Sequence, residues 1–375
     1  MAQKKRKLKI VIIILVFIIY FFIAARPIPR ETILAPRWIR PLSTEAVAAA
    51  NISAPVFPFT LQDNFGYVDS NGRFAINKIK TDDIYLSANM WTEYGAVDTN
   101  IVINNNLNNT VINIENTKGY PILLDNRIFI LGSEQNSLSE IDNNGRVKWA
   151  YEFGSPLTCI DVKAGLVLTG SLDGAVEVFN SDGDRIFYFE PGGSRYSIIL
   201  GCSISRNGSR IGIVSGIDRQ RFLLFERFGN TGGEYRVIYH EFLDTGFRRP
   251  VRVLFVDDDQ RIIFEREGGI GCYNIKSRRT MFIPLDGDIA AIDESGDKRY
   301  FFLITSNDTE KQLVGIRFPP DRLFGLSSTA AEDTIFIKAP FKSDDVFLGR
   351  QASGTGSILI AGGGTTLISF NLEEK

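Results

Sequence analysis

The chain has 375 residues, of which 44% are hydrophobic and 23% charged, and its formal net charge at pH 7 is −2. Basic residues are concentrated at the start: residues 1–40 hold nine Lys or Arg and one Glu, which leaves 33 basic and 43 acidic residues, a net charge of −10, for the rest. Because binding to a phosphate backbone needs a net basic face, this balance excludes nucleic-acid binding.

The first 25 residues predict a membrane anchor. A basic tail at residues 1–9 precedes the uncharged apolar stretch Ile10–Ala25. Extended to Leu8, this stretch is about 27 Å long as a helix, which is enough to cross a bilayer core. The basic tail predicts a cytoplasmic amino terminus, with the remaining chain on the periplasmic side of a bacterial inner membrane. A cleaved secretory signal ending near Ala24 is the alternative, but bulky side chains run almost to the end and Pro27 follows.

Residues 26–54 read as a linker. Its first part is rich in proline, which biases the preceding residue away from the α region. Its second part, Ser43–Ala50, could form a short helix with a serine or threonine cap. A single domain over residues 55–375 follows.

That domain is built from repeats. The stretch Gly165–Gly192 contains three short strands separated by turn signals, as in an antiparallel meander. A turn followed by a compact apolar strand recurs seven times, marked by residues 72, 126, 165, 208, 259, 296 and 356, in steps of 54, 39, 43, 51, 37 and 60 residues. A common core of about 40 residues is typical of four-stranded propeller blades. The predicted fold is therefore all-β, a seven-bladed β-propeller of four-stranded antiparallel blades preceded by one transmembrane helix.

Two segments carry a family resemblance. Gly170–Phe179 (GSLDGAVEVF) and Asn144–Trp149 (NGRVKW) resemble the β-propeller superfamily of WD-repeat-like and quinoprotein-like repeats found in bacterial envelope proteins. The resemblance implies an architecture but no particular activity. By analogy, it implies a setting in envelope assembly.

The ring is expected to close with strands from both ends of the domain. The last unit has strands near 345–348, 357–361 and 365–372 and is one strand short. Val56–Leu61 precedes the first unit and is apolar enough to supply the missing strand. Pro58 fits an outer edge strand, where one backbone donor can be lacking.

Catalytic, cofactor and metal sites are not predicted. The only histidine, His240, falls in a probable outer strand, and soft-metal ligands are too few and too scattered. Asp257–Asp259 and Asn180–Asp184 read as turns rather than calcium sites, and Gly362–Gly364 reads as a hairpin rather than a phosphate cradle. Trp149 is expected to pack between blades.

The three cysteines are Cys159, Cys202 and Cys272. They fall in apolar strands of different blades, so buried free thiols are favoured over one disulfide and a leftover thiol.

Two basic clusters on loops are the candidate partner-binding surface: Arg248, Arg249 and Arg252, and Lys276, Arg278 and Arg279. The expected function is a non-catalytic, membrane-tethered scaffold or assembly factor whose propeller loops bind other proteins of the bacterial cell envelope. An enzyme, or a propeller that binds a carbohydrate or small ligand in its central channel, is the alternative.

Overall fold

The computed structural model describes residues 13–17, 20, 32–42, 52, 55–95, 100–229, 234–244, 246–293, 300–307, 310–318, 334–351 and 358–374. Within these ranges, 31 strands form eight antiparallel sheets, which are the blades of a β-propeller. The first strands of neighbouring blades contact one another, as β13 (Leu157–Lys163) contacts β17 (Ile199–Ile204), so these strands surround the centre of the ring.

In blades 1–7 the strands follow one another along the chain from the centre outward, whereas the outermost strand of blade 8 comes from the start of the chain. The strand bounds are as follows. Blade 1 has β2 (Val56–Leu61), β3 (Asn64–Asp69) and β4 (Phe74–Ile79); blade 2 has β5 (Asp83–Leu86), β6 (Met90–Tyr94), β7 (Ile101–Asn105) and β8 (Thr110–Ile114). Blade 3 has β9 (Tyr120–Leu124), β10 (Arg127–Leu131), β11 (Ser137–Ile141) and β12 (Val147–Glu152); blade 4 has β13, β14 (Leu166–Ser171), β15 (Val176–Phe179) and β16 (Arg185–Phe189).

The second half continues in the same way. Blade 5 has β17, β18 (Arg210–Ser215), β19 (Arg221–Phe228) and β20 (Glu234–Phe242); blade 6 has β21 (Val253–Val256), β22 (Arg261–Arg266), β23 (Gly269–Asn274) and β24 (Arg279–Pro284). Blade 7 has β25 (Asp288–Ile292), β26 (Tyr300–Asn307), β27 (Glu310–Arg317) and β28 (Ile335–Lys342); blade 8 has β29 (Val346–Gln351), β30 (Ile358–Gly363), β31 (Thr366–Glu374) and β1 (Thr32–Pro41).

The prediction of seven blades is wrong, because the structure has eight. Six of the seven marking residues come before the second strand of a blade in the sequence, but Gly72 precedes β4, the last strand of blade 1. The corresponding turn of blade 2, at residues 87–89, contains no glycine and so lacks the sequence signal that marks the others. The long step from residue 72 to residue 126 contains the missing unit.

The strand that closes the ring also differs from the prediction. Thr32–Pro41, which falls within the predicted linker, pairs antiparallel with β31, with Thr32 opposite Glu374 and Pro41 opposite Thr366. Val56–Leu61 does not complete the last blade, because it pairs with β3 in blade 1. An outer edge strand tolerates the prolines of β1, and the register shifts between Pro36 and Trp38.

Apolar side chains fill the spaces between blades. Trp149 on blade 3 stacks on Phe179 of blade 4, with ring centroids 6.0 Å apart, which confirms its predicted packing between blades. Phe59 and Leu61 of blade 1 form one cluster with Ile360 and Leu367 of blade 8. The last and first blades are therefore joined by a hydrophobic interface as well as by the closing strand.

The predicted transmembrane helix is not borne out. Residues 13–17 and 20 are helical, but no helix among the described residues is long and apolar enough to cross a membrane. The basic tail at residues 1–9, most of Ile10–Ala25 and the predicted helix Ser43–Ala50 lie outside the described residues.

Candidate partner-binding surface

Three connections meet on one face of blade 5. They are the segment between β16 and β17, the turn between β18 and β19, and the segment between β20 and β21. Backbone hydrogen bonds join each to its neighbour: the amide of Gly216 donates to the carbonyl of Ile198 at 2.8 Å, and that of Leu243 donates to Gln220 at 2.8 Å. Because consecutive strands are antiparallel, these connections all leave the sheets at the same end.

Arginine and aromatic side chains cover these connections. The guanidinium carbons of Arg219 and Arg221 lie 4.9 and 5.6 Å from the ring centre of Phe242, whose side chain is 43% exposed. Such distances allow a cation–π interaction with both arginines. In the neighbouring connection, the guanidinium carbon of Arg249 lies 4.5 Å from the ring centre of Phe247. We call this region the arginine surface and define it as Arg195, Arg219, Arg221, Arg248, Arg249, Arg252, Phe242 and Phe247.

The positive charge of the arginine surface is only partly balanced. Among the described residues, Arg195, Arg219 and Arg221 form no ion pair with a carboxylate. The nearby Asp218 joins two connections: it accepts hydrogen bonds from the hydroxyl of Ser194 and the backbone amide of Arg195 in the neighbouring segment, and from the backbone amide of Arg219. These donors lower the pKa of the Asp218 carboxyl, the Ser194 hydroxyl most strongly.

The guanidinium of Arg221 is also partly buried. Burial lowers its pKa from the usual value, and one of its terminal nitrogens donates to the backbone carbonyl of Gly192. An arginine still carries its charge under these conditions, because its unperturbed pKa is above 12. Beside it, Asp218, Arg219, Phe242 and Asp244 contribute to a shallow, open hollow of about 430 Å³. The surface therefore offers fixed cations next to an accessible depression.

Three of the residues predicted from the sequence belong to this surface. Arg248 and Arg252 are exposed. Arg249 contacts Glu265 at 2.6 Å and Asp288 at 3.1 Å, so it links blade 6 to blade 7. Its hydrogen bond to Glu265, together with the two acidic charges, raises its pKa.

The other predicted cluster lies on the opposite face. Lys276 and Arg278 occupy the turn between β23 and β24, and Arg279 begins β24. That turn is separated from the start of β21 by an odd number of antiparallel strands, so the two clusters do not form one surface. A role in partner binding stays a prediction for both.

Sequence reasoning missed Arg195, Arg219 and Arg221. Arg195 follows Gly193 and Ser194 in one turn, and Arg219 follows Asp218 in another, just before Arg221. Arginine next to such turns could have marked them, but nothing local shows that the two turns meet.

The remaining candidates occupy structural positions. His240 is exposed on the outer strand β20, as predicted, with its ring centre 6.1 Å from that of Phe242. Asp257–Asp259 form the turn between β21 and β22, and all three have positive φ. Gly362–Gly364 end β30 and begin the turn to β31. No group of three or more metal-ligating His, Cys, Asp or Glu side chains occurs in the part of the chain that the structure describes.

Comparison with known proteins identifies the architecture. The chain is 26% identical over 284 residues to an "uncharacterized protein" of Treponema pallidum (strain Nichols), covering 73% of this chain and 74% of the relative. BamB from Moraxella catarrhalis has a similar crystal structure, with a TM-score of 0.53 and 11% identity over 90% of this chain and all of BamB. The computationally designed Ika8 protein has a TM-score of 0.59 and 13% identity, covering 88% of this chain and 97% of Ika8.

At these identities the two solved structures show the fold alone. A family model described as "beta-propeller protein" matches residues 1–362. Because this match covers nearly the whole chain, the chain belongs to that β-propeller family.

Proposed function

We propose that the protein is a non-catalytic interaction scaffold whose arginine surface binds an acidic segment of a partner protein. The observation that carries this proposal is the stacking of Arg219 and Arg221 on the exposed ring of Phe242. Among the described residues, neither arginine has a carboxylate partner.

The chemistry of arginine favours an acidic partner. A guanidinium presents planar, paired donors that match a carboxylate, and stacking on an aromatic ring holds it in place. The partial burial of Arg221 increases the benefit of a counter-charge, because a desolvated charge is costly until it is paired. The domain is acidic overall, so a local basic surface also directs an acidic segment to this face.

The setting is part of the same proposal. We place the scaffold in the bacterial cell envelope, outside the cytoplasm, as an assembly factor. The resemblance of Gly170–Phe179 to the quinoprotein-like repeats of envelope proteins supports this setting. Fractionation of cells that produce the full chain, with protease accessibility of the propeller as readout, tests it; a chain found only in the cytoplasm would exclude it.

Peptide binding tests the surface. The probe is a fluorescein-labelled peptide of ten alternating Asp and Glu residues, and fluorescence anisotropy measures its dissociation constant for the full chain. Arg219→Ala is expected to raise the dissociation constant about tenfold, which corresponds to about 1.4 kcal/mol. Binding by the unchanged protein should weaken strongly between 50 and 200 mM salt.

Arg236→Ala is the matched control. Arg236 lies on the same blade and also stacks on an exposed phenylalanine, Phe228, at 5.9 Å, but it has a carboxylate partner in Glu234 at 3.7 Å. Its replacement should leave the dissociation constant within twofold. An equal loss of peptide affinity in the two variants would show that the arginine surface is not the binding site. Binding of a neutral peptide of Asn and Gln with the same affinity would show the same.

A further inference from the structure

Two of the three cysteines lie opposite each other across a blade interface. Cys159 is on β13 and Cys202 is on β17, the central strands of blades 4 and 5. Both pack against the same hydrophobic cluster between these blades. The sequence favours buried free thiols over a disulfide for these residues.

Hydrogen bonds between the strands hold the two cysteines in place from both sides. On one side, the hydroxyl of Thr158 donates to the carbonyl of Ile199. On the other side, one carboxylate oxygen of Asp161 accepts from the hydroxyl of Ser203 at 3.0 Å and from the amide of Ile204 at 2.7 Å. The backbones of β13 and β17 are therefore fixed relative to each other immediately before and after the thiols.

The surroundings leave room for the sulfur atoms. Gly170 is paired with Cys159 in the sheet, and a Cβ atom added at Gly170 would lie 2.7 Å from the Cys159 sulfur. Glycine at this position therefore gives the sulfur its space. All three cysteines are free; Cys159 and Cys202 are partly buried residues, whereas Cys272 is buried. The pair therefore keeps more contact with solvent than Cys272 does.

We propose that Cys159 and Cys202 are a redox modification site, which forms a reversible disulfide between blades 4 and 5 by exchange with a small-molecule or protein disulfide. One cysteine, as thiolate, attacks the incoming disulfide, forms a mixed disulfide and releases one thiolate. The second cysteine then attacks the protein sulfur of that mixed disulfide and releases the second thiolate. The two protein thiols lose two electrons and two protons, and the incoming disulfide becomes two thiols.

Two physical consequences follow. Desolvation at the interface, with the Cys159 thiol beside it, raises the pKa of the Cys202 thiol, so the reaction is favoured by alkaline pH. The new bond would join positions far apart in the chain, so it restricts the unfolded ensemble and raises the melting temperature.

The test uses the reduced full chain incubated with oxidised glutathione at pH 8.5. Intact mass should fall by two hydrogens without a glutathione adduct, and peptide mapping should identify the Cys159–Cys202 link. The melting temperature should rise on oxidation and return when dithiothreitol is added. Cys159→Ser and Cys202→Ser should each abolish the mass loss.

Cys272→Ser is the matched control and should oxidise like the unchanged chain. Melting temperatures of the reduced variants, measured in parallel, show that each one is folded. Disulfides that involve Cys272, dimers linked between chains, or stable glutathione adducts on Cys159 or Cys202 as the only product would each overturn the proposal.

Discussion

Glu140 shows how a single buried charge organises a blade. It lies on β11 with its side chain 6% exposed, between Arg127 on β10 and Trp149 on β12. The Nε of Arg127 donates to it at 2.9 Å, and the indole N–H of Trp149 donates to its other oxygen. Desolvation disfavours the carboxylate, but the hydrogen bond and charge of Arg127, with Trp149 and Lys148, outweigh this and lower the pKa of Glu140.

We predict that Glu140→Gln lowers the free energy of unfolding by about 3 kcal/mol at pH 7, because Arg127 keeps a largely buried charge without its counter-ion. A carboxyl whose folded pKa is depressed contributes stability above its unfolded pKa, which is about 4.3 for glutamate, and this contribution is lost as the pH falls through the folded pKa. The difference between the two proteins should therefore shrink below about pH 4. Urea unfolding at several pH values measures this difference in unfolding free energy.

Glu134→Gln is the control for this prediction. Glu134 is exposed in the same blade, so its replacement should change the unfolding free energy by less than about 0.5 kcal/mol. If the decrease in unfolding free energy caused by Glu140→Gln stays constant down to pH 3, the charge of Glu140 is not the source of the lost stability.

At the scale of the elements, the turn before the outermost strand is the best-defined repeat in the first four blades. Its first residue is Asp69, Asn105, Asp142 or Asn180, and in each case the side-chain oxygen accepts two backbone amides, two and four residues later. The turn then packs on the outer strand of the preceding blade, as Gly183 packs on Trp149. These turns therefore help to set how neighbouring blades fit together.

We predict that Gly183→Ala costs more stability than Gly165→Ala. Both glycines have positive φ, of 86° and 74°, so alanine is strained at either position by about 1 kcal/mol. A Cβ atom at Gly183 would also lie 2.5 Å from Trp149, whereas a Cβ at Gly165 meets nothing within 4 Å. Overpacking should add about 1–3 kcal/mol for Gly183→Ala. Urea unfolding measures the free energy of unfolding of the two variants. Equal decreases would show that Trp149 can move away from the added Cβ atom without an energetic cost.

At the scale of the whole molecule, the sequence predicted the strand arrangement within a blade better than the number of blades or the strand that closes the ring. Alternating strands and Gly-containing turns such as Asp182–Gly183 mark four-stranded meanders, because these signals are local. The number of blades depends on every turn being recognised, and residues 87–89 carry no glycine signal. The closing strand was missed because the prolines and arginines of β1 resemble a linker, and only its pairing with β31 makes it a strand.

The candidate surface was predictable in part for a similar reason. Arg248 and Arg249 are adjacent in the chain and form a visible cluster, whereas Arg195 and Arg219 come from separate turns. Only the folded blade brings these turns together. The proposed pairing of Cys159 with Cys202 likewise depends on both residues lying on neighbouring central strands.

The closing strand allows a prediction for the whole ring. Strand β1 forms nine residue pairs with β31, and its Trp38 donates from the indole nitrogen to the carbonyl of Ser70 at 2.9 Å, which ties blade 8 to blade 1. A chain that begins at residue 43 lacks this strand and leaves the edge of β31 open. With a net value of about 1 kcal/mol for each backbone hydrogen bond lost, we expect the free energy of unfolding to fall by several kcal/mol. An open edge should also promote association between chains.

The matched control is a chain that begins at Glu31, which keeps β1 and loses only the residues before it. Thermal unfolding followed by circular dichroism, with light scattering for the mass in solution, compares the two. The shorter chain should melt at a lower temperature and associate, and a synthetic peptide of residues 32–42 should restore the melting temperature in a saturable way, because the peptide can occupy the vacant edge. Identical melting temperatures for the two chains, with no effect of the peptide, would show that the other blade interfaces hold the ring without β1.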